Sequence, residues 1–126
     1  MQKSIILIDF DGTCCKSKYP EIGEDIGAEP VLKKLVAKGH KLILYTMRSG
    51  KQLDDAVRWF ATRQIPLYAV GKDPNQHKWT SSNKCAGDLV IDDIGLGIPL
   101  IQPLIGEQAY VDWKAVERLL IDRGYL

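Results

Sequence analysis

Cysteine is scarce in this chain and suits neither disulfides nor zinc. The only three are Cys14, Cys15 and Cys85, an odd number with two of them adjacent. No C-x-x-C occurs, and the two histidines, His40 and His77, are too far apart for an H-x-x-x-H pair. A structural zinc site is therefore not expected. Long apolar runs are also missing. The longest, residues 5–8 and 42–45, fall far short of the ~20 residues needed to span a bilayer. The first residues offer one lysine, Lys3, before a run that ends in Asp9, which is not the layout of a secretory leader. A reduced, cytoplasmic compartment is the expectation. Nor is there an excess of charge of either sign. Seventeen basic residues stand against sixteen acidic ones, a net charge of +1. That balance argues against a basic face for nucleic acid and against an acidic tail.

What remains is an ordinary globular composition. With 126 residues, 45% of them apolar, the chain has the size of one domain, residues 1–126. Folding a chain of this mass removes about two-thirds of its unfolded surface from water, enough for a core without staples.

The apolar periodicity alternates between strand and helix. Residues 4–8 form a continuous apolar run, as in a strand buried on both faces. Residues 14–27 are polar and interrupted by Pro20, Gly23 and Gly27, which reads as loop. Ala28, Val31, Leu32, Leu35 and Val36 then recur at helical spacing, with Pro30 in the first turn and Gly39 at the stop. Residues 41–45 read as a second strand. Ser49 and Gln52 have the spacing of a capping box, followed by the stripe Leu53, Ala56, Val57, Phe60 and Ala61. Residues 67–70 predict a third strand, 71–87 a polar loop with Trp79 tucked inward, and 89–91 a fourth strand. Leu100-Ile101 suggests a short fifth strand between Pro99 and Pro103, and a last helix runs from an Asp112 cap through Trp113, Val116 and Leu120. This order predicts an α/β fold: a single doubly wound, Rossmann-like domain with a mainly parallel sheet and helices on both faces.

In such a sheet every strand's C-terminal end lies on one edge, and ligands bind outside it. The first polar residues after each buried run are therefore informative. They are Asp9 in Asp9-Phe10-Asp11-Gly12-Thr13, then Thr46 followed by Arg48, then Asp92-Asp93. Singly, each reads as a turn residue or a helix cap. Together they put four carboxylates and a hydroxyl on one edge. Carboxylates so crowded need a cation or a proton, and an all-oxygen set suits Mg²⁺.

These residues resemble the motifs of the haloacid dehalogenase (HAD) superfamily of phosphohydrolases. Asp9-Phe10-Asp11-Gly12-Thr13 is similar to its first motif, Thr46 to its second, Lys84 to its third and Asp92-Asp93 to its fourth, in order over residues 9–93. The resemblance implies that Asp9 attacks phosphorus and forms an acyl phosphate. Asp11 then protonates the leaving oxygen and later deprotonates the hydrolytic water. Mg²⁺ is implied on Asp9, on Asp11 through its backbone carbonyl, and on Asp92 or Asp93. Thr46 and Lys84 are implied to hold the phosphoryl oxygens, with Lys72 as the rival lysine, and Gly12 to allow a tight turn beside the phosphate. Arg48 at the mouth is a candidate for substrate binding or a solvated residue at a helix start.

Many members of the family carry a cap domain after the first motif or between the second and third. Only 36 residues separate Asp9 from Thr46, and neither interval holds a second domain. The resemblance is therefore to a capless member with an open site. Such a site suits a phosphorylated substrate that is bulky, or closure by another copy in a homo-oligomer. Two other functions stay open. One is a receiver-like phosphoacceptor, although receivers lack the second aspartate and place their acidic pair after the first strand. The other is a HAD-like protein that binds ligand without turnover.

Overall fold

The chain's apolar runs become four short strands in a computed structural model that describes residues 3–126. These are β1 (Ile5–Ile8), β2 (Lys41–Leu44), β3 (Ala69–Val70) and β4 (Leu89–Ile91). They stand in the order β3-β2-β1-β4, and every pair is parallel. The chain steps outward from β1 to β3, then crosses back to lay β4 on the other flank of β1. That reversal is the doubly wound topology, and it opens a crevice beyond the C-terminal ends of β1 and β4.

The strand period of two divides the core. Ile6, Ile8, Leu42 and Leu44 face one side and pack against all three helices. These are α1 (Ala28–Ala37), α2 (Gly50–Thr62) and α3 (Trp113–Asp122). They contribute Leu32 and Leu35, Ala56 and Phe60, and Val116 and Leu120. Leu7 and Ile43 face the other way and are covered by Cys85, Tyr68 and Ala69. Helices on both faces were expected, but among the described residues the second face carries only the 71–88 crossover. Its one regular piece is a 3₁₀ turn, Gln76–Lys78. This segment lacks an amphipathic stripe and is held by a side chain instead. Buried Gln76 donates through Nε2 to the Lys84 carbonyl at 2.6 Å and accepts the Ala86 N–H at 2.8 Å.

Three further expectations change. Leu100-Ile101 is a strand, β5, but it leaves the sheet and pairs antiparallel with β6 (Tyr110–Val111), which the sequence pattern does not reveal. Ser49 is the N-cap of α2, yet its side chain makes no capping bond, so the expected capping box does not close. Asp112 does cap α3, accepting the Ala115 N–H. Trp79 is 71% exposed rather than tucked inward. His40 is buried and structural: its Nδ1 accepts the Ser4 N–H, and its Nε2 donates to the Tyr125 carbonyl.

The β6–α3 junction is fastened to the segment that follows β1. The Val111 N–H donates to the Gly12 carbonyl at 3.0 Å, and the buried Trp113 indole donates to the Thr13 carbonyl at 2.7 Å. Trp113→Phe keeps most of the ring and removes that donor. It should lower unfolding stability by about 1–3 kcal/mol in urea titration, the cost of a buried carbonyl left unpaired. An unchanged midpoint would show that the indole bond contributes nothing.

Candidate active site

Two adjacent strand ends create the site. The Asp9 N–H donates to the Ile91 carbonyl at 3.0 Å, which brings the exits of β1 and β4 to the same level. Asp9 leaves β1 there, and Asp92-Asp93 leave β4. One carboxylate oxygen from each of Asp9, Asp92 and Asp93 lies within 4.8 Å of the others. No lysine or arginine among the described residues forms an ion pair with any of the three.

The electrostatic consequence falls on Asp9. Burial pushes its carboxyl from the usual 3.8 up to about 7. The Thr13 hydroxyl pulls back against this, and the charge of Asp92 adds to it. Asp93 is also raised, by burial first, with the neighbouring Asp92 adding to the shift.

Thr13 and Gly12 fix the geometry. The Thr13 hydroxyl donates to Asp9 Oδ2 at 2.8 Å and accepts the Asp93 N–H at 3.0 Å. One buried hydroxyl thus sets the first and last carboxylates against each other. The sequence reading gave Thr13 no role, although its place in Asp9-Phe10-Asp11-Gly12-Thr13 was visible. Gly12 has φ +79°, and a Cβ there would lie 2.3 Å from Asp93 Oδ2. Glycine is therefore required both by the turn and by the approach of Asp93.

Thr46 follows β2 on the same edge, its hydroxyl accepting the Arg48 N–H at 3.2 Å. A cleft of about 470 Å³ gathers Asp9, Asp11, Thr46, Asp92 and Asp93 with Tyr45, Met47 and Ile94. The last three were not singled out in the sequence. They form an exposed apolar rim, with Met47 98% and Ile94 87% accessible. A hollow of about 250 Å³ between β4, α3 and residues 95–99 is mostly aliphatic, and Asp92 and Arg123 are the only charged groups in its wall.

Two expected site residues sit differently. Arg48 is neither solvated nor free for substrate, since its side chain is 1% exposed. Its Nε donates to Asp11 Oδ2 at 2.8 Å and its Nη2 to Asp11 Oδ1 at 2.7 Å. Nη2 also reaches the Glu21 carbonyl, and Nη1 reaches those of Pro20 and Gln52. All five guanidinium donors are then in use. Asp11 lines the cleft, but its side chain lies outside the carboxylate triad. Any metal bond from Asp11 would come through its backbone carbonyl.

The expected lysine is not on the cleft wall. Cys85 is buried on the sheet face and the chain continues to Asp88, whose N–H meets the Ile5 carbonyl at the opposite edge. Lys84, one residue before Cys85, is exposed, and its ammonium has no partner among the described residues. Lys72 follows β3 on the correct edge, but its ammonium donates to the Ser82 carbonyl at 2.6 Å. The cysteines are free and buried, as expected. Burial pushes the Cys14 thiol well up and that of Cys15 to about 11, so neither is a nucleophile.

Fold and site together define a doubly wound α/β domain with a carboxylate triad at its topological switch point. A solved structure of a conserved protein from Bacteroides thetaiotaomicron is similar to this chain over 97% of its length and 93% of that chain, with 33% identity and a TM-score of 0.78. The chain belongs to the same family as that conserved protein. No family model and no curated protein matches it. No helix among the described residues is long and apolar enough to cross a membrane.

The shift at Asp9 has a signed consequence for stability. Between about pH 4 and 7 the unfolded chain has released the Asp9 proton while the folded chain keeps it. Folding then becomes less favourable as pH rises through that window and levels off above it. In chelator, the stability of the parent relative to Asp9→Asn should fall between pH 4 and 7 in urea titrations. A flat difference would mean that Asp9 titrates as an ordinary aspartate.

Proposed function

We propose that this chain is a Mg²⁺-dependent phosphatase that hydrolyses a phosphate monoester through an aspartyl phosphate on Asp9. The supporting observation is the half-buried triad Asp9, Asp92 and Asp93, without a protein cation among the described residues, in one cleft with Asp11 and Thr46. The triad fits a hard divalent ion: its donors are all oxygen, and Asp9 is raised by burial first, with the neighbouring charge of Asp92 adding to it. Asp9, Asp92 and Asp93, with the Asp11 carbonyl, are the residues that would hold it. Bound there, Mg²⁺ supplies charge neutralisation between a carboxylate nucleophile and an anionic phosphate.

The chain's own groups account for the rest. Thr13 holds the Asp9 carboxylate in place for attack on phosphorus. Asp11 carries the proton to the leaving oxygen and takes one from water in the second step. Thr46 donates to a phosphoryl oxygen. The remaining positive charge would have to reach in from outside the cleft wall, and Lys84, exposed with an uncommitted ammonium, is favoured over Lys72, whose ammonium is bonded to Ser82. The cleft has no cation on its wall and an apolar rim, so an uncharged leaving group suits it better than a polyanion. The open rim sets little limit on leaving-group size.

Three measurements test this reading. Asp9→Asn should abolish hydrolysis of p-nitrophenyl phosphate while leaving the fold intact, and activity within tenfold of the parent sinks the assignment. Chelator should remove activity and Mg²⁺ restore it. Lys84→Ala should lower kcat by about a hundredfold, the scale of losing one charge-stabilising donor, with Lys72→Ala mild. The opposite order moves the role to Lys72.

A further inference from the structure

We propose that Arg48 is a positioning residue for Asp11, fixing its carboxylate as the base of the second chemical step. The proposal rests on the phosphatase reading above. Its observation is the saturation of a buried guanidinium. Two of its five donors fork onto the two oxygens of Asp11, and the other three end on the backbone carbonyls of Pro20, Glu21 and Gln52. Those carbonyls belong to the 14–27 loop and to the first turn of α2, so the fork is anchored on two sides. Phe10 and Tyr19 add ring faces 5.1 and 5.2 Å from the guanidinium carbon. A residue spent in this way cannot bind substrate. It can stop a carboxylate from rotating.

A planar fork sets orientation as well as charge, which a lysine cannot reproduce. An ionised carboxylate has about four acceptor sites, and Arg48 uses two, leaving others for water. In the second step the water oxygen bonds to phosphorus as the bond from phosphorus to the Asp9 oxygen breaks. The water proton passes to Asp11, Asp9 returns as a carboxylate, and inorganic phosphate leaves. This step needs a base aimed at the water. The first step, with an aryl phosphate, needs little help from an acid because the phenolate leaves readily. Loss of Arg48 should therefore slow the second step more than the first.

Arg48→Lys keeps a charge beside Asp11 and is the first variant to use. Mixed rapidly with p-nitrophenyl phosphate and Mg²⁺, it should release a burst of nitrophenol close to one per folded protein. A steady state at least about tenfold below the parent's should follow, since positioned proton transfer is worth roughly 10²–10⁴. Intact mass after acid quench should show phosphorylated protein accumulating. If burst and steady state fall together, with no phosphoenzyme, Arg48 is only structural and the proposal is overturned. A parent protein that hydrolyses nothing overturns the phosphatase reading itself, and this proposal with it.

The double variant Arg48→Met with Asp11→Asn removes both charges, so no ion is left buried alone even where Arg48→Lys folds poorly. If Arg48 acts only through Asp11, the double variant's second step should match that of Asp11→Asn within about threefold, as for residues acting as one unit. A double variant much slower than Asp11→Asn shows a second role for Arg48 and overturns the proposal.

Discussion

Carboxylates resist being crowded together out of water, and this fold is arranged around three that are crowded and half-buried. Asp9, Asp92 and Asp93 share one crevice because β1 and β4 are neighbours that end at the same level. Isolated charges would be expelled from such a place or neutralised. Here the raised Asp9 carboxyl records the cost, and the surrounding polar groups hold the geometry. Thr13 bridges Asp9 and the Asp93 backbone, Gly12 leaves room for the Asp93 carboxylate, and Trp113 ties down the Thr13 carbonyl from α3. An electrostatically costly arrangement held by so many fixed contacts is the physical ground for proposing a functional site there.

The sheet is covered unequally, and this shapes what surrounds the cleft. All three helices lie on one face. The other face has the 71–88 crossover, pinned by the Gln76 side chain rather than by a helix. The cleft is accordingly bordered by loops. The 14–27 loop is tied inward through Arg48, while Met47 and Ile94 stand open to solvent. The rigid part of the site is therefore the side that holds Asp9, Asp11 and Thr13. On the proposed phosphatase reading, the open part is where a leaving group would sit.

The sheet and the carboxylates were legible in the sequence because both depend on period and position. A continuous apolar run marks a parallel strand, and the first polar residue after it must fall on the ligand edge. Asp9, Thr46 and Asp92-Asp93 follow from that rule alone. Arg48 was misjudged because three of its five bonds go to backbone carbonyls, which carry no residue signature. Its partners in the 14–27 loop depend on a path that no periodicity describes. Strand β6 was missed because two residues make no pattern, and the Ser49–Gln52 spacing misled because spacing alone does not orient the Ser49 hydroxyl, which makes no capping bond. Lys84 was placed by its distance along the chain before Asp92. That spacing does not show that Cys85 anchors the crossover on the sheet face the helices leave free, with Lys84 exposed just before it.

The central claim is that Asp9 carries the phosphoryl group in turnover. The direct measurement is to quench the protein in acid during hydrolysis of an aryl phosphate with Mg²⁺, then locate the phosphoryl adduct by peptide mass mapping. The account predicts an acid-stable, base-labile adduct on Asp9 alone, absent when chelator replaces Mg²⁺. Turnover with no adduct on Asp9, or with the phosphoryl group on another side chain, would contradict it.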